Sequence, residues 1–433
     1  MKNNRALFFL VGSVIVFSLG ACVRSVEKVH SSELRKLDPA LQGVRKSFSN
    51  RQVNDVTTWE NVRRPELIDY YENYVFGKRP AFKPKVAYSV LSIDTISIGG
   101  VRMEHREVRA DYKYRGRKMK SYFAQFLPLN VKDPIVFVGL NFFGNGTLDT
   151  LHSLTQSKHY VMKNAGVKTK GHHVAEESRG TKAYRWPLDL IVGSGCGLIT
   201  AHYADFDPDV NNGFIDGVHG LAEGRVHIRK RNEWGSISAW AWGLSELQAY
   251  LELQPETKNS KTAVIGHSRL GKAALWAGVL DERFDMVVSN NSGCAGAAQF
   301  RTMRGEDIEK ITNRFPYWFA RNFQSFRGND SLLLVDQEML LSLVAPRALY
   351  VASASKDSWA DPEGEYLSFY KSQAIYALYD STLEIPYKYP SANESIQFGN
   401  MAFHLRAGEH EILRWDWEKY VEYAKKVLYS PSN

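Results

Sequence analysis

A chain of 433 residues that is 44% hydrophobic and 24% charged has ordinary globular composition, long enough for one large α/β domain with insertions or for two domains. The net charge of +8 permits nucleic acid, anionic lipid or an acidic substrate as partner. No Lys/Arg run is long enough to argue for nucleic acid, and the densest, His227-Ile228-Arg229-Lys230-Arg231, reads as a solvated loop. Aromatic residues make up 12% of the chain, which suits a large core and also sugar-stacking surfaces.

Lys2 and Arg5 precede a mostly apolar run, Ala6 to Leu19, and Leu19-Gly20-Ala21-Cys22 sets small residues before a cysteine. This is the pattern of a secretory signal with a lipobox-like end. Residues 1–21 are expected to be a lipoprotein signal peptide and Cys22 the lipidated mature N-terminus; a plain signal peptide is the alternative. Val23 carries no retention mark for an inner membrane. The expected location is therefore periplasmic or outer-membrane, after secretion across the inner membrane, with the lipid as membrane anchor and the chain a monomer. In an oxidising compartment Cys196 and Cys294 could pair, and two buried free thiols fit equally well.

Residues 22–60 are polar and read as a tether and entry segment, and residues 61–433 as one catalytic domain. A helix is expected from Pro65 to Gly77, with apolar residues at 67, 68, 71 and 75. Val86–Leu91, Val101–Val108 and Lys120–Phe126 alternate with period two and are joined across Gly99-Gly100 and Arg115-Gly116, as leading antiparallel strands would be. Pro134–Leu140 is a buried strand, followed by the loop Asn141-Phe142-Phe143-Gly144-Asn145-Gly146. Residues 148–190 form a long polar stretch of the kind that is functional or locally folded. Strands at Gly197–Tyr203, Met286–Asn291 and Arg347–Ser353 alternate with helices at Ser236–Leu253, Gln337–Leu343, Glu365–Tyr379 and Asp416–Leu428. This order predicts a doubly wound α/β-hydrolase fold, a three-layer sandwich around a mostly parallel sheet.

The stretch Thr262–Trp276 reads as strand, tight turn, helix, with Ser268 at the tip of Gly266-His267-Ser268-Arg269-Leu270-Gly271-Lys272. The second glycine of a G-x-S-x-G elbow is displaced by one, to Gly271. Ser268 is either a nucleophile held at a helix N-terminus or a capping serine. A nucleophile needs a base and an orienting acid, in the order serine, acid, histidine. Only His404 and His410 follow Ser268; His410 lies in a polar turn before the last helix and is preferred over His404, in the more apolar Phe403-His404-Leu405. Asp357, just past strand 347–353, is the expected acid, and Asp361 before Pro362 looks like a turn former. After the preceding strand, Asn290 and Asn291 offer no carboxylate. Arg269 could add a charged donor at the oxyanion or form a structural ion pair. Lys272 is one helical turn on, and a cation there points to an acidic or hydroxyl-rich substrate, with simple solvation as the alternative.

These residues resemble the glucuronoyl esterases of carbohydrate esterase family 15, in its bacterial branch. The resemblance rests on the Ser268 stretch, Asn290-Asn291-Ser292-Gly293-Cys294, Arg304-Gly305-Glu306, Val344-Ala345-Pro346-Arg347, Asp357-Ser358-Trp359-Ala360-Asp361-Pro362, Gly408-Glu409-His410 and the Asn141–Asn145 loop. It implies hydrolysis of the ester between 4-O-methyl-glucuronic acid on xylan and lignin alcohols, without a metal or other cofactor. It further implies Ser268 as nucleophile, His410 as base and acid, Asp357 as orienting acid and Arg269 in support of the oxyanion. Lys272, Glu306, Trp359 and Asn313 would hold the sugar hydroxyls. Many relatives carry glutamate where this chain has Asn291, so the acid role would fall on Asp357 alone. The competing readings are an acetyl-xylan or other carboxylesterase on the same fold, and a non-catalytic glycan-binding lipoprotein.

Overall fold

The computed structural model describes residues 43–150, 154–159, 161 and 166–429; the signal peptide expected at residues 1–21 and the lipidation expected at Cys22 lie outside them. One ten-stranded sheet organises the chain. Its strands are β1 (Lys85–Ile98), β2 (Val101–Tyr114), β3 (Arg117–Pro128), β4 (Val136–Asn141), β5 (Gly197–His202), β6 (Thr262–His267), β7 (Met286–Asn290), β8 (Ala348–Ala354), β9 (Glu394–Phe398) and β10 (Met401–Arg406). The order across the sheet is β1-β2-β3-β5-β4-β6-β7-β8-β10-β9. β1 to β3 form an antiparallel meander that joins β5 antiparallel. From β5 to β10 the strands run parallel, and β9 closes the far edge antiparallel.

Every residue of β4, β5 and β6 is buried, which is why these segments are continuous apolar runs rather than alternating ones. Successive side chains point to opposite faces. Val264 therefore packs with α3 (Ser236–Leu251) and α4 (Arg269–Leu280), while Ala263 and Ile265 pack with α2 (Leu188–Gly193) and α8 (Arg414–Leu428). The remaining helices used below are α1 (Arg64–Tyr74), α5 (Ile308–Arg314), α6 (Gln337–Ser342) and α7 (Pro362–Tyr379). Helices on both faces make the three-layer sandwich that the strand–helix alternation predicts.

Differences from expectation have local causes. β1 to β3 run longer than their apolar cores, because alternating charged residues face water while Ile96 and Ile98 still reach the sheet's second core. β9 went unexpected: it is an edge strand, only half-buried along its length, with Ser395 and Gln397 among its residues. Of the long polar stretch, residues 166–190 are locally folded, with a short hairpin (Thr169–Lys170 with His173–Val174), single turns and the start of α2. The entry segment is not all tether. Val44 and Val53 are buried, Phe48 packs on Tyr70, and Asp55 caps a helical run from Val56 that continues into α1. The boundary drawn at residue 60 thus falls inside a helix. Cys196 and Cys294 are free thiols, both buried. Among the described residues no helix is long and apolar enough to cross a membrane.

Candidate active site

β6 ends at His267 and α4 begins at Arg269, so Ser268 alone makes the turn, at φ +58° and ψ −128°. This backbone conformation is costly for a residue with a Cβ and is kept where function uses it. Gly266 makes the turn possible, since a Cβ there would lie 2.0 Å from the Leu270 carbonyl oxygen. The second close approach is at Gly271, where a Cβ would meet the Ser292 Cβ at 3.0 Å and the Asn290 carbonyl oxygen at 3.3 Å. The displaced glycine therefore answers to the packing of α4 on the end of β7, and position 270 is free to be a buried leucine. The Ser268 N–H donates to the Asn290 carbonyl at 2.9 Å. The Ser268 side chain makes no capping hydrogen bond to α4. Its hydroxyl is left to the cavity, where the amides of the first helical turn favour negative charge.

His410 Nδ1 lies 2.5 Å from Asp357 Oδ2. His410 and Ser268 line the same two cavities. Burial would raise the Asp357 pKa, but the hydrogen bond and charge of His410 and the Asn291 amide hold it below the usual carboxylate value. Asn291 Nδ2 donates to the same Oδ2 at 2.8 Å. The residue after β7 thus supports the acid rather than supplying it. The turn that carries His410 is clamped by Arg406, whose Nη2 donates to the carbonyls of Glu409 and Glu411, each at 2.8 Å, while its Nε sits 2.9 Å from Asp416 Oδ2. His404 lies in β10, fully buried, 2.9 Å from Asp416 and 3.1 Å from the Tyr350 hydroxyl; it is a structural histidine. Asp361 is the N-cap of α7 and accepts from the Gly364 and Arg304 amides, each at 3.2 Å.

One cavity, of about 160 Å³, lies against Lys272, Ser292, Gly293, Glu306, Trp359 and Ser268. Lys272 is 3% exposed; its Nζ donates to the Ser292 carbonyl at 2.6 Å and stands 3.8 Å from Glu306 Oε2. The Glu306 N–H donates to the Trp359 carbonyl at 2.9 Å. Gly305 permits this approach, since a Cβ there would lie 2.2 Å from that carbonyl oxygen. Trp359 is 46% exposed at the cavity rim, with Lys310 Nζ over its ring 5.8 Å from the centroid. Beneath the cavity floor Glu365 is fully buried, accepting from Ser353 Oγ, the Gly293 N–H and Ser292 Oγ. Burial pushes its pKa up to about 8 against those bonds.

The other cavity, of about 270 Å³, lies against Phe142, Phe143, Tyr203, Arg185, His267 and Ser268. Arg185 reaches it from the 148–190 segment and pairs with Glu411, next to His410, at 2.6 Å. Arg269 and Arg314 line both cavities. The Arg269 guanidinium donates to Asp209 and lies 4.6 Å from the Trp318 ring centroid. Asp209 is itself held by the Tyr203 and Tyr317 hydroxyls and the Trp318 indole N–H. A charged donor is thereby fixed beside the serine.

A family model described as "Glucuronyl esterase, fungi" matches residues 227–379. The carbohydrate esterase MZ0003 of an unknown prokaryotic organism is 33% identical over 375 residues, which is 86% of each chain. Among solved structures, a promiscuous CE15 esterase from the marine bacterial metagenome is 32% identical, covers 90% of this chain and 99% of its own, and superposes with a TM-score of 0.82. The glucuronoyl esterase from Solibacter usitatus is 33% identical over 88% of this chain and 96% of its own, with a TM-score of 0.80. The chain belongs to carbohydrate esterase family 15. As a family 15 esterase it is a carboxylic ester hydrolase with the α/β-hydrolase fold.

In this esterase the structure brings together Ser268, His410, Asp357, Arg269, Lys272, Glu306 and Trp359. Asn313 stands apart: it is exposed on α5 and outside both cavity linings, whereas its neighbour Arg314 faces in. Sequence reasoning passed over Arg314, Asp209, Arg185 and Arg406. Asp209 carried a signal, as the last acid of Asp205-Phe206-Asp207-Pro208-Asp209 at the end of a parallel strand, where ligand sites collect. Arg185 and Arg314 carried none, because only folding brings their segments to Ser268.

Proposed function

We propose that this enzyme hydrolyses esters of a glucuronic acid carboxyl group. The natural acyl donor would be 4-O-methyl-glucuronate on xylan, and the leaving groups lignin alcohols. The observation that carries the reading is the buried Lys272–Glu306 pair beside the half-exposed Trp359, in a cavity that ends at Ser268. A desolvated ion pair fixes hydroxyl-bearing ligands by charge-assisted hydrogen bonds, and an indole face suits the C–H face of a sugar ring. The aromatic cavity on the other side of the serine suits the alcohol.

Ser268 Oγ attacks the ester carbonyl as His410 takes its proton, with Asp357 holding the imidazole in the right tautomer. The amides at the start of α4 and the Arg269 guanidinium face the negative charge that develops on the carbonyl oxygen. His410 returns the proton to the departing alcohol. Water, deprotonated by the same histidine, then attacks the acyl-enzyme and frees the uronic acid. Benzyl and methyl glucuronate test the reading: Ser268→Ala should abolish their hydrolysis while leaving the circular dichroism spectrum unchanged. Retained turnover would refute it.

We further propose that residues 1–21 direct secretion and that Cys22 carries lipid, which would leave a monomeric enzyme on the periplasmic or outer membrane. The charged n-region, the apolar run and the small residues before Cys22 support this. Labelled fatty acid should enter the native chain and be lost in Cys22→Ala.

A further inference from the structure

The basic stretch at 225–231 takes no part in the site described above. It presents Val226 at 95% exposure and Ile228 at 94%. Among the described residues no other large apolar side chain exceeds 65%. Isolated exposed apolar residues are ordinary; two β-branched ones held out together are not. The loop is clipped at its base. Arg229 pairs with Glu223 at 2.6 Å, donates to the Trp234 carbonyl and lies 3.9 Å from the Phe214 ring centroid. His227 Nε2 is 2.9 Å from Glu233 Oε2. With Arg229 packed inward and the His227 ring tied back to Glu233, Val226 and Ile228 are left standing out into solvent together.

Charge follows the same pattern. Arg225 and Lys230 are exposed around the two aliphatic tips; Arg231, also exposed, donates to Asn322 Oδ1 at 3.1 Å and Ser325 Oγ at 2.8 Å, and the acids Glu223 and Glu233 are paired with Arg229 and His227. The loop also lies where the chain enters the domain. Asn232 Nδ2 donates to Asn73 Oδ1 at the end of α1, and Phe48 packs on Tyr70, less than one turn earlier in that helix. Cys22 lies 21 residues before Gly43, the first described residue, a stretch that spans at most about 70 Å.

We propose that residues 225–231 are a membrane-docking loop. Val226 and Ile228 enter the headgroup–acyl boundary of an anionic bilayer, and Arg225 and Lys230 meet lipid phosphates. Aliphatic side chains offer no ring face to a polysaccharide, so the pair favours lipid over an acidic polymer. Docking would fix the orientation of the domain against the bilayer. The inference rests on the proposed membrane location of the enzyme.

The test uses the full-length chain in phosphatidylethanolamine–phosphatidylglycerol vesicles, with an environment-sensitive fluorophore on Ile228→Cys. A control label goes on Leu253→Cys, an exposed position two residues beyond the C-terminal end of α3. A blue shift, a severalfold gain in emission and quenching by acyl-brominated lipid at 228 but not at 253 are expected. Emission at 228 that stays water-like would overturn the proposal, as would a shift produced by soluble glucuronoxylan without vesicles. Fatty-acid label read on the same preparation separates the two ideas. An acylated chain with a water-exposed loop refutes the docking loop and leaves the anchor standing. An unacylated chain whose loop still shifts on adding vesicles refutes the anchor and leaves the loop standing. Val226→Ser with Ile228→Ser should abolish the contact while soluble benzyl glucuronate is hydrolysed at the native rate.

Discussion

The two flanks of Ser268 are built from different parts of the fold. The flank with Lys272 comes from the first turn of α4, the carboxyl end of β7 and the loops before α5 and α7. Its polar groups are buried and bonded to one another, down to Glu365 beneath the floor. The flank with Phe142 comes from the loops after β4 and β5 and from the 148–190 segment, and Phe142 and Phe143 are only half-buried. A charged ligand group is held by fixed, desolvated partners, which need a rigid base. An apolar leaving group needs only surface to lie against, which loops can vary without harm to the core.

The comparison breaks first at the line the flanks share. Asp357→Asn should lower kcat by about 10⁴-fold, by disturbing the His410 tautomer. Asp361→Asn should instead cost about 1 kcal/mol of stability or less as a changed helix cap. If Asp361→Asn were the change that stops turnover, the acid assignment would be wrong.

The charged flank is tested by Lys272→Met, which leaves Glu306 buried without its cation. A loss of about 100-fold in kcat/KM on glucuronate esters is expected, with a change under about threefold on an acetyl ester. Equal losses on both would show that Lys272 supports the serine rather than the sugar. On the aromatic flank, Phe142→Ala should cut the preference for benzyl over methyl glucuronate about tenfold. Hydrolysis of the methyl ester should barely change. If both esters fall together, the cavity does not receive the alcohol.

The smallest effect concerns Glu365. Its pKa in the fold, about 8, is raised from the ordinary 4.5 by burial. Between those values the folded chain holds a proton that the unfolded chain has released, so stability falls as pH rises through that window. Glu365→Gln should flatten the decline in Tm between pH 6 and pH 9, measured by calorimetry. An unchanged slope would mean that the carboxyl is ionised in the fold and is stabilised by Ser353, Ser292 and Gly293.

Local pattern was enough wherever the chemistry and its scaffold are neighbours in the chain. Gly266-His267-Ser268 between an apolar run and a helix marks the elbow, because one residue must turn sharply beside a close backbone approach. Local setting favoured His410, in a polar turn, over His404, in an apolar stretch, and Asp357, just past a strand, over Asp361, before a proline; the fold then pairs His410 with Asp357. Five of the six parallel strands were legible because burial on both faces leaves them apolar; β10, equally buried but carrying His404 and Arg406, was not. The half-exposed edge strand β9, with its polar composition, left no such trace.

Tertiary structure decided which distant groups meet. Asn291 looked like a lost acid in the sequence, and in the fold its amide holds Asp357. Arg269 became a fixed donor only through Asp209, which lies 60 residues away. Arg185, Arg314 and Arg406 are ordinary surface-type residues in the sequence, and only the packing of loops around Ser268 and His410 gives them positions at the site. Ile228 read as part of a solvated loop, and only the Arg229–Glu223 and His227–Glu233 pairs in the fold leave it standing out beside Val226. A serine elbow is specified by sterics within a few residues, whereas the cavities on its two sides exist only once segments far apart in sequence are brought within contact distance.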